Sequence, residues 1–149
     1  MIDYDNPWIY DGQPFGSEQI DDAVGFVYLI TNLTTGMKYI GKKNFWSIRT
    51  LPPLKGQKRK RKKKTESDWK DYYGSSEEVK TLVESQGCDN FKREILQICN
   101  SKGEMSYYEL KEQVVNDVLF KPDEYYNAFV GAKIHRKHLG VGNGNSDKR

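Results

Sequence analysis

A chain of 149 residues is the size of one ordinary domain, and with 36% hydrophobic and 13% aromatic residues its core must rest largely on Tyr, Phe and Trp. No apolar run approaches the roughly 20 residues that span a bilayer, and the acidic, aromatic start "MIDYDNPWIYDG" is unlike a signal peptide, so a soluble, cytoplasmic protein without a membrane partner is expected. The net charge of +3 conceals an asymmetry: "KGQKRKRKKK", residues 55–64, holds eight Lys/Arg and no acid, and without it 16 basic residues face 21 acidic ones, a net of −5.

Residues 1–24 read as an arm, in which Trp8, Tyr10 and Phe15 alternate with acids, Pro7, Pro14 and several glycines. "GFVYLITNLTTGMKYIGKK", residues 25–43, predicts a hairpin with strands near 25–31 and 37–43 joined by the turn formers of "TNLTTG". Pairing symmetric about that loop sets Tyr28 opposite Tyr39, on one side of the sheet with Phe26, Ile30, Met37 and Gly41. Gly41 would leave room for a ligand or another backbone. A tyrosine pair of this kind is either cross-strand packing or one wall of a site.

"NFWSIR" is expected to form one or two helical turns ended by "LPP". A basic insertion, residues 52–67, follows. Like charges in such a run repel one another, keep the segment extended and attract a polyanion through counterion release; a solvated loop or a nuclear-localisation segment are the other meanings of the run. "ESDWKDYYGSSEEVKTLVESQG" predicts a helical region broken at Gly74, its second part opened by the capping pattern "SSEE" and stopped at Gly87. "NFKREILQIC" predicts a third strand, and "EMSYYELKEQVVNDVL" an amphipathic helix. A Pro-containing turn, a short element near 128–138 and a frayed tail at 140–149 complete the chain. Cys88, Cys99, His135 and His138 fit no common zinc spacing.

The helix at 105–119 holds an anomaly. Met105, Tyr108, Val115 and Leu119 fall at a/d-like spacing, and Glu112 occupies the remaining position of that stripe. A carboxylate among apolar neighbours is costly unless paired, hydrogen-bonded or metal-bound. An ion pair with a neighbouring Arg or Lys is one reading, and a metal ligand or acid/base group is the other. Glu109, grouped with Gln113 and Asn116 on the polar face, is the weaker candidate.

"FVY" at 26–28 followed by "YIG" at 39–41 resembles the paired signature of the GIY-YIG nuclease superfamily. Arg49, Glu112 and Asn127 fall in the order in which that family carries an arginine, a metal-binding glutamate and a terminal asparagine, so the resemblance covers about residues 25–130. Phe26 stands where the motif has its first glycine, and no histidine occurs in "DWKDYYGSS" where some relatives carry one, leaving Tyr72, Tyr73 or Ser75 as substitutes, or no substitute at all. The resemblance implies a small α/β (α+β) domain over 25–139, with a three-stranded antiparallel sheet flanked by helices.

It also implies a DNA endonuclease dependent on Mg²⁺ or Mn²⁺, with Tyr28, Tyr39, Arg49, Glu112 and Asn127 as catalytic residues and Glu112 as the metal ligand. In that scheme Tyr28 acts as general base or positions the nucleophile, and Arg49 forks onto the scissile phosphate. Double-stranded DNA is the implied partner. Lys42, Lys43, Lys58, Arg59, Lys60, Arg61, Lys62, Lys63, Lys64, Tyr72 and Tyr73 are its expected contacts, the basic run clamping the backbone, with "IHRKH" at 134–138 as a further phosphate contact. A stand-alone phage-encoded or homing-type enzyme, acting in the host cytoplasm, fits best. One site per chain cuts one strand, so cutting both requires a homodimer or successive nicks. The alternatives are a structure-specific nuclease acting on branches or flaps, and a non-catalytic nucleic-acid-binding protein on the same scaffold.

Overall fold

The computed structural model describes residues 2–131 and Leu139; the short element expected near 128–138 lies largely outside them, and "IHRKH", His135, His138 and the tail at 140–149 lie wholly outside. In chain order the elements are β1 (Ile9–Tyr10), β2 (Gln13–Pro14), β3 (Gly25–Asn32), β4 (Lys38–Asn44), β5 (Trp46–Leu51), β6 (Arg61–Glu66), α1 (Glu77–Gln86), β7 (Phe91–Cys99) and α2 (Lys102–Val115). The class is α+β. The main sheet has five strands in the order β2-β1-β7-β3-β4, where three were expected. Its centre is the anticipated antiparallel trio, and the difference is the supposed arm, whose β1 runs parallel to β7 at Glu94 and Ile95.

The aromatics of residues 1–24 explain that extension. Trp8 is wholly buried, meets Phe26 and Tyr28 at ring-centroid separations of 5.0 and 5.3 Å, and donates from Nε1 to the Trp69 carbonyl at 2.7 Å. A large indole with its one donor satisfied makes this segment part of the core. Arg93 of β7 is also buried. Its guanidinium lies over the rings of Trp8 and Tyr73 and donates to the carbonyls of Asn6 and Tyr72 at 2.6 and 2.9 Å. These bonds offset the desolvation of the charge and tie the N-terminal segment to the loop before α1.

The β3–β4 hairpin is offset by two residues from the expected register. Tyr28 pairs with Gly41, and Ile30 with Tyr39. The cause is a shorter loop: Asn32 remains in β3, its N–H donates to the Met37 carbonyl at 2.8 Å, and its Oδ1 accepts from the Thr34 N–H at 3.0 Å, while Gly36 takes a φ of +80° to close the turn. An offset of two preserves the faces, so the two tyrosines remain diagonal neighbours with ring centroids 6.2 Å apart.

Two cores sandwich the sheet. Phe26, Tyr28, Ile30, Phe45, Trp69, Val79 and Phe91 pack towards α1, and Val27, Ile40, Cys99, Met105 and Val118 pack beneath α2. The Ser76 hydroxyl caps α1 by accepting from the Val79 N–H, and Gly87 ends it, as its capping sequence requires.

The segment expected to be helical around Arg49 is a strand. β5 and β6 form a separate two-stranded antiparallel ribbon, with Trp46 opposite Glu66 and Leu51 opposite Arg61. Trp46, Ile48 and Thr50 alternate as a strand prefers, and the basic run supplies the partner, so part of the expected extended loop is ordered pairing. The root of the ribbon is tied down. Trp46 Nε1 donates to the Ala23 carbonyl at 3.1 Å, Ser67 Oγ to the Asn44 carbonyl at 2.6 Å, and Trp69 Nε1 to the Glu66 carboxylate at 2.9 Å.

Candidate active site

Tyr28 sits at the centre. Its ring is wholly buried between Tyr39 and Tyr72, the latter at a centroid distance of 5.9 Å and edge-on, and its Oη has no hydrogen-bond partner among the described residues. Gly41, directly opposite, is what admits the ring: a Cβ at position 41 would collide with the Tyr28 phenol. The space that the glycine was expected to leave for a ligand is thus filled by the tyrosine. Burial holds the Tyr28 pKa well above the ordinary phenol value, and the neighbouring phenols and the Glu109 carboxylate push the same way. The Tyr72 phenol is close enough to disfavour a Tyr28 phenolate without completing a hydrogen bond to it. Each of the chief influences on the Tyr28 hydroxyl raises its pKa, so the group stands as a neutral donor.

Tyr39 is half-buried and shares a 2.9 Å hydrogen bond with the Ser75 hydroxyl, whereas Tyr72 packs on Tyr28 and lies 4.2 Å beneath the Lys43 ammonium. Tyr72 and Ser75, two of the three candidates for the place of the missing histidine, therefore lie against Tyr28 and Tyr39. Tyr73 is turned away, stacked on Arg93 and accepting at 3.0 Å from the Asn6 amide. Its place is in the N-terminal clamp, apart from the Tyr28 cluster.

Glu109 is a carboxylate whose charge acts on both Tyr28 and Tyr39. Its side chain is 19% exposed, and it lies 3.7 Å from the Lys42 ammonium. Burial raises its pKa, and Lys42 offsets part of that rise. Lys42 is fixed in turn by a 3.0 Å bond to the Ser106 hydroxyl one turn earlier in α2.

The expected buried stripe of α2 is corrected. Val115 and Leu119 are 68% and 47% exposed, while Met105 and Gln113 are buried. The helix stops at Val115, and Asp117 takes a φ of +53°, so residue 119 is out of phase with it. Met105 and the Gln113 amide, which donates at 3.1 Å to the Ile40 carbonyl, set the rotation instead. That rotation turns Glu109 inward. Glu112 is half-buried, and its charge acts on Tyr125.

Asn127 is buried with both ends of its amide on one residue: Oδ1 accepts from the Ile40 N–H at 3.0 Å, and Nδ2 donates to the Ile40 carbonyl at 2.8 Å. It imitates a strand against the outer edge of β4, one residue before Gly41, continuing the bridge between Lys38 and Tyr125. Placed so, the asparagine fixes the backbone that carries Tyr39 and Gly41. Asn127→Ala would strand a buried N–H and should lower unfolding stability by about 2 kcal/mol. An unchanged urea midpoint would show that the edge needs no such cap.

Arg49 projects from exposed β5, opposite Lys63, and lines a cleft of about 810 Å³ with Lys43, Lys64, Asp68 and Lys102. Lys43, held at 2.6 Å by Asp68, is the wall that this cleft shares with the tyrosine cluster. Lys58, Arg59, Lys60, Arg61, Lys62, Lys63 and Lys64 are all exposed. In the sequence Glu109 lies on the i, i+4, i+8 line from Met105 to Gln113, the two buried residues of α2.

The arrangement offers a proton donor in Tyr28, a half-buried carboxylate and a cationic approach. Among the described residues no three His, Cys, Asp or Glu side chains converge on a metal position. A cation here would rest on one carboxylate, with water and phosphate oxygens completing its shell. That donor set suits Mg²⁺, which commonly keeps several waters and takes one or two carboxylates.

Residues 8–130 match the family described as "Putative endonuclease segE, GIY-YIG domain". The chain is 30% identical over 102 residues to "Putative endonuclease segE" of Enterobacteria phage T4, covering 68% of this chain and 39% of that protein. It is also 30% identical over 107 residues to "Putative endonuclease segD" of the same phage, covering 72% and 38%. The chain therefore spans about two-fifths of the length of these curated relatives. No solved structure matches it.

Proposed function

Because the chain belongs to the GIY-YIG family of the segE type, we propose that it is a DNA endonuclease that hydrolyses phosphodiester bonds with the help of Mg²⁺ or Mn²⁺. The observation that carries this reading is the buried Tyr28 hydroxyl, without a hydrogen-bond partner among the described residues and within reach of the charge of half-buried Glu109. An orphaned buried hydroxyl costs stability, and in this reading it is kept for a substrate oxygen that reaches it when the Tyr39 or Tyr72 ring packed on it moves aside.

In this reading Glu109 is the metal ligand in preference to Glu112, because Glu109 is the carboxylate whose charge reaches the two tyrosines. A divalent cation there would withdraw charge from the phosphate oxygens and offset the charge on the leaving oxygen. Tyr28 keeps its proton and donates it in a hydrogen bond, orienting the attacking water or a non-bridging oxygen. Tyr39, anchored by Ser75, forms the second wall. Lys43 and Arg49 draw the backbone into the cleft, Arg49 by its planar fork, and the basic ribbon supplies sequence-independent affinity. Asn127 holds the β4 edge in place.

The test is incubation of supercoiled plasmid with the protein and Mg²⁺ or Mn²⁺, with an EDTA control. Nicked or linear product that disappears with EDTA is expected. Binding without any cleavage would leave a non-catalytic DNA-binding protein and defeat the proposal.

A further inference from the structure

The β5–β6 ribbon carries cations on both of its faces. Directly paired residues share a face, so Arg49, Lys63 and Arg61 lie on one side, and Lys62 and Lys64 on the other with Ile48 and Thr50. Residues 47–50 and the whole of β6 are exposed, and the intervening loop adds Lys55, Lys58, Arg59 and Lys60. The single acid of the ribbon is Glu66, at its root and bonded to Trp69 and Ser17.

A ribbon laid flat on a duplex would use one cationic face and leave the other in water. Two cationic faces suit a slot with two anionic walls. We propose that this ribbon enters the major groove of B-form DNA, with the phosphates of one strand against Arg49, Arg61 and Lys63 and those of the other against Lys62 and Lys64. This rests on DNA being the substrate and names how it is held.

Dimensions select the groove. A ribbon with side chains on both faces is about 10 Å thick, close to the spacing of packed sheets. The major groove, about 12 Å wide, admits a two-stranded ribbon, whereas the minor groove, about 6 Å wide, does not. The major groove of A-form RNA is too narrow and deep. Six-residue strands extend about 20 Å, more than the groove depth of about 8.5 Å.

The pairing itself supports an anionic partner. Arg49 stands directly opposite Lys63 with no acid between them, an arrangement that destabilises an isolated strand pair, and phosphates on that side relieve the repulsion. The anchored root and the Lys64 ammonium 4.6 Å from the Trp46 ring fix the ribbon against the body. Since Arg49 also lines the cleft that reaches Lys43, the wall of the groove next to the root is the strand led towards Tyr28.

The test is metal-free binding to three duplexes of one sequence: unmodified DNA, DNA with a bulky substituent on pyrimidine C5, which fills the major groove, and DNA saturated with the minor-groove ligand distamycin. The C5 substituent should weaken binding about tenfold, and distamycin less than twofold. An A-form RNA duplex should compete at least tenfold less well than DNA. The combined variant Arg61→Ser, Lys62→Ser, Lys63→Ser and Lys64→Ser, verified as folded by circular dichroism, should bind more weakly and lose the distinction between the first two duplexes. Sensitivity to distamycin alone, indifference to both modifications, or equal competition by RNA overturns the proposal. Groove-sensitive binding without cleavage defeats the nuclease reading only, and cleavage without groove sensitivity defeats the groove reading only.

Discussion

Replacing Tyr28 by phenylalanine is expected to stabilise the protein while removing most of its cleavage activity. The hydroxyl is buried and has no partner among the described residues, and the ring that carries it packs among Trp8, Phe26, Tyr39 and Tyr72. Phe keeps the ring and deletes the unsatisfied group. Leaving such a group buried costs about 1–3 kcal/mol, so a gain of about 1 kcal/mol in urea unfolding is expected. Loss of a positioned hydrogen-bond donor should slow cleavage by about 10²–10³-fold.

The alkaline limb provides a second readout. The folded pKa of Tyr28 lies above that of an unfolded tyrosine, about 10. Its contribution to stability is therefore complete below pH 10 and is lost as pH rises through the folded value. Tyr28→Phe should unfold less steeply with pH above 10. If the variant is less stable than wild type at neutral pH, the hydroxyl has a partner in solution and the argument from an orphaned donor fails.

How much of this was legible in the sequence depended on whether the decisive contact was local. Helix α1 was readable because Ser76 and Gly87, which start and stop it, lie within the segment itself. The tyrosine hairpin was readable as a hairpin, but its register was set by which residues of "TNLTTG" stay in the strand. Asn32 stays because its backbone and side chain bond to Met37 and Thr34.

β6 was not legible. "RKKKTE" has no apolar alternation, and it is a strand only because β5 pairs with it across the loop. The helical expectation at Arg49 failed for the same reason, although Trp46, Ile48 and Thr50 already alternated. Asn127 was read from its position in a motif; its role in covering the outer edge of β4 required the edge to be seen.

The choice between Glu109 and Glu112 turns on helix phase, and it yields the second large effect. A heptad pattern extended through Leu119 points to Glu112, yet α2 ends before that residue and is rotated by Met105 and Gln113. Glu109→Gln, which preserves shape and removes charge, should reduce cleavage on the order of 10³-fold, since a metal-held carboxylate supports several kcal/mol of transition-state charge stabilisation. Glu112→Gln should cut within about threefold of wild type.

The fold should tolerate the Glu109 change. Burial raises the Glu109 pKa, so its folded form holds a proton to higher pH than the unfolded chain does; neutralising it removes a desolvated charge whose partner, Lys42, remains bonded to Ser106. Glu109→Gln should therefore unfold at a urea midpoint no lower than wild type at pH 7, and its DNA binding without metal should be unchanged or tighter, because a negative charge has left the cationic approach. Should Glu112→Gln be the inactive variant and Glu109→Gln the active one, the carboxylate assigned by motif spacing is the functional one, and the inward face of α2 serves Lys42 alone.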